Sequence, residues 1–276
     1  MRPRFGLILI IYIAFAVIIL FFVTPFLWLF LAAVDPQAKA FIHVPERPTL
    51  ENFRLLFSDF GFGTALGNSF LVATSTMFLT VVVVAFASYT LSRWDVRGKG
   101  GLMYGLLLLQ TMPLSATMVP IYGLARTLGL RNSYLGLVLI HATIELPFLI
   151  WVMKGFFDSV PRALEEAAWM DGRSRARSLL EIVLPVAAPG LAVVAGLSFL
   201  AAWSEVLLVL ILVDNENMKT VPLKFYETFR TQGGYVEVRY EVVAAMALLY
   251  LVPVLLLFLL TRRYLVRGIF GGTRGA

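Results

Sequence analysis

The sequence predicts an all-α, polytopic membrane helix bundle with six transmembrane helices, on three observations. Of its 276 residues 59% are hydrophobic and 14% charged, where a soluble domain carries about a quarter charged residues. The apolar residues gather into six long runs separated by polar segments, each run near the ~20 residues a helix needs to cross a bilayer. Lysine and arginine are shared unevenly between alternate polar segments, the usual signature of membrane orientation. In lipid the backbone must satisfy its own polar groups, which a continuous apolar run does as a helix. A single membrane domain over residues 1–276 is expected, since no segment is both long and polar enough to fold separately.

The first run, 6–34, follows Arg2 and Arg4 and contains Pro25 and Trp28. It is too long for a signal peptide and lacks a small-residue cleavage site, so it reads as a retained helix that Pro25 bends. Residues 35–63 read as irregular surface with a short helix near 50–57, because Pro36, Pro45 and Pro48 punctuate them. The second run, 64–91, has Asn68, Ser69, Thr74, Ser75 and Thr76 near its start and ends at a basic turn with Arg93, Arg97 and Lys99. The third, 101–125, is interrupted by Gln110, Thr111, Pro113 and Pro120, which predicts a kinked helix facing a bundle interior or cavity. A tight turn over 126–133 leads to the fourth run, 134–153, with His141, Glu145 and Pro147 inside it. The fifth run, 186–213, contains Glu205; an outer loop, 214–241, precedes the sixth, 242–261, which is followed by Arg262, Arg263 and Arg267.

With the amino terminus inside, 14 of the 23 lysines and arginines fall on the inner side and 9 on the outer. Both termini are therefore expected on the cytoplasmic side, with the chain crossing the membrane several times. The same placement argues against nucleic acid as the partner of the net charge of +6. The chain has no cysteine, which excludes disulfides, thiol nucleophiles and cysteine-held metal. His43 and His141, the two histidines, lie too far apart in sequence to promise a histidine-rich metal centre. No metal site and no catalytic residue is expected.

The inner loop 158–185 is the longest charged inner segment, and from Glu165 it reads EEAAWMDGRSRARSLLEIVLP. Ser159 and Pro161 have the character of a helix start. Glu165 and Glu166 favour the amino-terminal end of a helix dipole. Gly172 ends this first short helix or allows a close approach. Residues 173–183 read as a second, amphipathic helix, with Leu179, Leu180 and Val183 toward the bundle and Arg173 and Arg177 four apart. Pattern alone leaves two readings open, an interfacial connector and a docking segment for a soluble partner. Catalysis by the acids is disfavoured, since no metal-ligand or acid–base set accompanies them.

Glu166, Ala167, Ala168, Gly172, Ile182, Leu184 and Pro185 resemble the EAA loop of ABC-importer permease subunits, and the Asp171–Gly172 pair resembles the form of the carbohydrate branch. The resemblance extends over most of the chain, through Asn68–Ser69, Tyr89, the turn to Arg97 and Gly98, Pro113, Pro120 with Tyr122, and Gly129–Leu130 with Asn132. The ending at 263–268, with Gly271 and Gly272, resembles the tail of the maltose-type permeases. The run Arg173, Arg175, Arg177 is more basic than is common there.

The resemblance implies a type I ABC-importer permease fold with a cytoplasmic coupling helix. Glu165, Glu166, Ala167, Ala168, Asp171 and Gly172 would then form the ATPase-coupling face. It also implies a second, longer permease subunit, two ATP-binding subunits, an extracytoplasmic solute-binding protein and a sugar as solute, with the lipid bilayer of a prokaryotic inner membrane as the location. No GxxxxGK[ST] loop is present, so ATP and Mg are expected on the partner subunits and no cofactor on this chain. It would be a transport subunit and not an enzyme.

A carboxylate inside a span is costly unless it faces protein, water or ligand. Gln110, Trp203, Ser204 and Glu205 are therefore candidates for the translocation path, with helix-to-helix bonding as the alternative for Glu205. Asn68, His141 and Glu145 are candidates for structural polar contacts. His141 and Glu145 stand four apart and can share a helix face, where mutual hydrogen bonding or a contact with the cytoplasmic or partner-facing bundle is expected. Glycerol-3-phosphate or a polyol is the rival solute. An ion-coupled secondary transporter and a membrane scaffold are the rivals of other classes.

Overall fold

The computed structural model describes residues 5–228 and 238–271. Arg2, Arg4, Arg230, Gly272 and Arg274 lie outside the described residues. The described chain is helical, with no strand among the described residues. It divides into two compact units, residues 1–63 with 224–253, and residues 64–223 with 254–276.

In the first unit, α1 (Phe5–Val34) is a single apolar helix of 30 residues with Pro25 inside. A short helix, α2 (Glu51–Ser58), is held to its end by Asn52. The Asn52 amide donates to Ala33 O and Asp35 O, both at 3.0 Å, and Thr49 N donates to Val34 O at 2.8 Å. Asp35 is buried; its carboxylate accepts from Gln37 N at 2.9 Å and pairs with His43 Nδ1 at 2.8 Å. Burial opposes ionisation of Asp35, but these two contacts and the charge of Lys39 outweigh it and hold the carboxyl below its usual range. Ala32, Ala33, Leu56 and Phe62 supply buried apolar surface.

The second unit holds most of the remaining helices. α3 (Phe62–Arg93) runs 32 residues, all but its first two in this unit. Next come α4 (Lys99–Leu109) and α5 (Leu114–Thr127), bent by 97°. Pro113 caps α5 in an extended conformation and has no N–H to continue α4. The third apolar run is thus two helices at a steep angle and not one kinked rod. α6 (Tyr134–Asp158) is a straightforward long helix that starts on Ser133, whose Oγ accepts from Gly136 N.

The polar loop contains α7 (Ala163–Met170), α8 (Arg175–Ser178), a π-helical turn at Leu179–Val183 and α9 (Leu184–Val186). Proline cannot donate to the residue four before it, and Pro185 stands two residues after the end of the wide turn that accommodates this defect. The expected amphipathic helix over 173–183 is therefore split. The Ser159 hydroxyl does not start α7: it donates back to Phe156 O at 2.7 Å, at the end of α6.

The segment 175–186 meets α10 (Ala188–Ser204) at 77°. The fifth run is interrupted again at Glu205 and Val206 before α11 (Leu207–Leu212). α12 (Val221–Thr228) follows, and α13 (Tyr240–Gly271) with Pro253 inside completes the described chain. By length and composition four described helices suffice to cross a membrane, and six spans result if each bent pair counts as one.

Apolar clusters hold the helices of the second unit together. One joins Val84, Tyr89 and Leu91 of α3 to Leu149, Met153 and Phe157 of α6, Leu179 and Val183, and Val194 of α10. Another joins Val72 and Leu137 to Ala125 and to Leu208 and Leu212 of α11. Glycine at 190 lets α10 lie against α6, since a Cβ there would stand 2.4 Å from Phe156 Cγ. The first cluster takes in Val160, Leu179 and Val183 of the polar loop, on either side of α7.

Candidate functional site

α7 has two faces. Glu165 and Ala168, three apart, are buried at 1% and 3% exposure. Glu166, Ala167, Met170, Asp171 and Gly172 are exposed, Met170 at 89%. The helix ends in a Schellman motif: Arg173 N donates to Ala168 O and Gly172 N to Trp169 O, both at 3.0 Å. Gly172 adopts φ +80°, a conformation that side chains with a Cβ rarely take. The exposed face thus combines small Ala167 and Gly172, acidic Glu166 and Asp171, and large apolar Met170, and a glycine closes it sharply.

The buried face grips α3. One oxygen of the Glu165 carboxylate accepts from Tyr89 Oη at 2.6 Å, and the other is paired with Arg93 Nε. The rest of the Arg93 guanidinium donates to Phe157 O and Val160 O, both at 3.0 Å, where α6 ends. Beside it the Ser92 hydroxyl donates to Asp158 at 2.7 Å, and Arg162 donates to Ser92 O at 3.3 Å. A cavity of about 180 Å³ remains between Tyr89, Arg93, Trp94, Arg162, Glu165, Glu166, Trp169 and Arg175. The Arg175 guanidinium covers both indoles bordering it, 5.1 Å from the Trp169 ring and 5.7 Å from the Trp94 ring.

The grouping of Glu165 with its neighbours on one coupling face does not describe this geometry. Glu165 and Ala168 turn inward, while Glu166, Ala167, Asp171 and Gly172 face out. Sequence reasoning missed Arg93 as a partner of Glu165. The spacing of Tyr89 and Arg93, four apart at the end of a span, shows that they share a helix face, but nothing in the sequence joins that face to Glu165.

The candidates within the apolar runs contact other parts of the protein or their own helix. Gln110 Nε2 donates to Ile144 O at 2.6 Å, which ties the α4–α5 bend to α6. Trp203 is buried, stacked on Phe199 at 5.5 Å and edge-on to Phe70 at 6.2 Å. Ser204 Oγ donates back to Leu200 O at 2.8 Å. The Glu205 carboxylate accepts from Leu207 N at 2.6 Å and Leu208 N at 3.1 Å, so it caps α11 where the fifth run breaks.

Asn68 donates to Asn217 O at 2.8 Å and Lys219 O at 2.9 Å and accepts from Tyr134 Oη at 2.7 Å. It joins α3 to α6 and to the segment before α12. Asn132, at φ +49°, accepts from Asp214 N at 2.7 Å and Asn215 N at 3.2 Å. His141 and Glu145 make no hydrogen bond to each other, so the first of their two expected arrangements is absent. Glu145 faces Ser198 and, further off, Glu205, yet neither of its oxygens has a hydrogen bond of normal geometry. Among the described residues no cluster of acids and histidines is arranged to hold a metal ion.

Comparison with known proteins places this architecture. The chain is 30% identical over 271 residues to the sulfoquinovosyl glycerol transport system permease protein SmoH of Agrobacterium fabrum, covering 96% of this chain and 93% of that protein. It is 30% identical to the trehalose/maltose transport system permease protein MalG of Thermococcus litoralis, covering 94% and 93%. In fold it is similar to a chain of a bacterial ABC transporter involved in the import of the acidic polysaccharide alginate, with a TM-score of 0.81, 19% identity, and coverage of 96% of this chain and 99% of that one. Residues 84–270 match the family model described as binding-protein-dependent transport system inner membrane component. With relatives matching along nearly its whole length, a multi-pass helical fold and a loop closed at Gly172, the chain belongs to the family of inner-membrane permease components of binding-protein-dependent ABC transport systems.

Proposed function

We propose that this permease imports a sugar, a di- or oligosaccharide, and that α7 is the helix through which separate ATP-binding subunits drive it. The observation that carries the coupling reading is the two-faced geometry of α7. Its outward face of Glu166, Ala167, Met170, Asp171 and Gly172 is exposed, while Glu165 and Ala168 are buried and Glu165 binds Tyr89 and Arg93 of α3. Small residues let a partner surface approach closely. Glu166 offers a carboxylate to a basic group there.

The assembly comprises this chain, a second and longer permease, two ATP-binding subunits carrying ATP and Mg, and a solute-binding protein on the outer side. Both termini and α7 face the cytoplasm, in keeping with the excess of lysine and arginine on that side. The sugar follows from the relatives named for trehalose, maltose and a sulfoquinovosyl glycerol. ATP binding closes the two nucleotide-binding subunits, moves α7 and exchanges an inward-open for an outward-open bundle; hydrolysis resets it. The break at Ser204–Glu205 and the bend at Gln110 border the path, since interrupted helices are tolerated at membrane depth where they are buried in protein or line a cavity.

The test is binding-protein-dependent uptake of a panel of di- and oligosaccharides, and of glycerol-3-phosphate, into proteoliposomes holding the permease pair. Saccharide uptake that requires ATP and the ATP-binding subunits supports the reading. Uptake of glycerol-3-phosphate alone overturns the sugar, and uptake driven by an ion gradient through this chain alone overturns the machine.

A further inference from the structure

We infer that Tyr89, Arg93 and Glu165 form a rigid joint that makes α7 move as one body with the adjoining ends of α3 and α6. This inference rests on the coupling reading of α7. Arg93 and Glu165 lie 72 residues apart in the chain, so the covalent path between α7 and α3 is long and bent. The side-chain cluster is short and direct. One guanidinium binds the Glu165 carboxylate of α7 and the Phe157 and Val160 carbonyls at the end of α6, from its own place in the last turn of α3. Tyr89, one turn earlier on α3, holds the second oxygen of the same carboxylate. Both charged side chains are almost closed off from solvent, Arg93 at 8% exposure and Glu165 at 2%.

The energetics favour position over stability. A buried ion pair is often no more stabilising than apolar residues of equal volume, because desolvation offsets the attraction. An apolar contact can slide, whereas the guanidinium fork fixes direction as well as distance. Placed between the exposed helix and two long helices, such a fork transmits displacement in a way that greasy packing does not. Tyr89, Arg93 and Glu165 are accordingly positioning residues, without contact to ATP or solute.

The test uses a reporter on α3. The chain has no cysteine, so Ser75→Cys supplies the single thiol of this subunit. Its labelling by a maleimide is timed in the complex with the ATP-binding subunits, without nucleotide and with ATP and vanadate. With the joint intact the rate is expected to change roughly tenfold between the two states. In the Arg93→Lys and Glu165→Gln backgrounds the change falls below about twofold, while the ATP-binding subunits remain in the complex. A full change in both backgrounds overturns the joint, and so does the absence of any change with the joint intact. Loss of the ATP-binding subunits from both variants also overturns it, because the cluster would then serve docking itself. Glu166→Lys and Gly172→Asp probe the underlying reading separately. Both should release the ATP-binding subunits with the joint intact, and their retention overturns the docking face.

Discussion

Truncating Glu165 to alanine leaves the Arg93 guanidinium buried without its carboxylate. Removing one member of a buried pair costs about 3–5 kcal/mol, so Glu165→Ala should lower the melting temperature of the detergent-purified chain far more than Glu166→Ala. Glu166 is exposed, and its removal should change stability by less than about 0.5 kcal/mol. Tyr89→Phe removes one hydrogen bond to a charged group and should cost about 1.5–3 kcal/mol. The order Glu165→Ala, Tyr89→Phe, Glu166→Ala is the checkable outcome. A second residue, Asp35, gives a pH dependence. Its carboxyl is held below the unfolded value by Gln37, His43 and Lys39 despite burial. Its contribution is therefore full above the unfolded pKa of about 4 and is lost as pH falls through the lower folded value. Acid melting curves of the native chain and of Asp35→Asn should differ at neutral pH and converge as the medium is acidified below pH ~4.

At the scale of elements, two glycines set how helices end and meet. Gly172 closes α7 at φ +80°, and no neighbouring atom lies within 4 Å of the place a Cβ would take, so a substitution there is strained by backbone conformation alone. Gly172→Ala should cost about 1–2 kcal/mol and raise proteolysis of the 158–185 loop. Gly190 is limited by space, with Phe156 Cγ 2.4 Å from where a Cβ would stand. Gly190→Ala should cost about 1–3 kcal/mol through overpacking. Phe156→Ala in the same chain should recover part of that loss, and thermal melts of the two single variants and the double variant would show it. Glu205 belongs to this scale too. As the cap of α11 its removal should cost about 1 kcal/mol; Glu205→Asn, which can also cap, should recover most of it.

At the scale of the whole molecule, the six apolar runs and their order were legible, because lipid demands long apolar helices whatever packs around them. The interruptions were less so. Gln110, Pro113 and Pro120 announce a bend in the third run but not one of 97°, since proline removes a donor without fixing the angle at which the chain restarts. The break at Glu205 has no proline at all; a carboxylate that caps its own following helix looks, in sequence, like a polar group seeking a ligand. The loop pattern located α7, and its two faces became visible only when Tyr89 and Arg93 were placed under Glu165. A pairing 72 residues apart leaves no periodic trace.

The central claim is that α7 receives its drive from separate ATP-binding subunits. The most direct measurement is uptake of a disaccharide delivered by the solute-binding protein into proteoliposomes, with ATP inside and with the ATP-binding subunits present or omitted. The account predicts accumulation when they are present, none when they are omitted, and none when they are present beside Gly172→Asp. Equal uptake without them, or driven by an ion gradient through this chain alone, would contradict it.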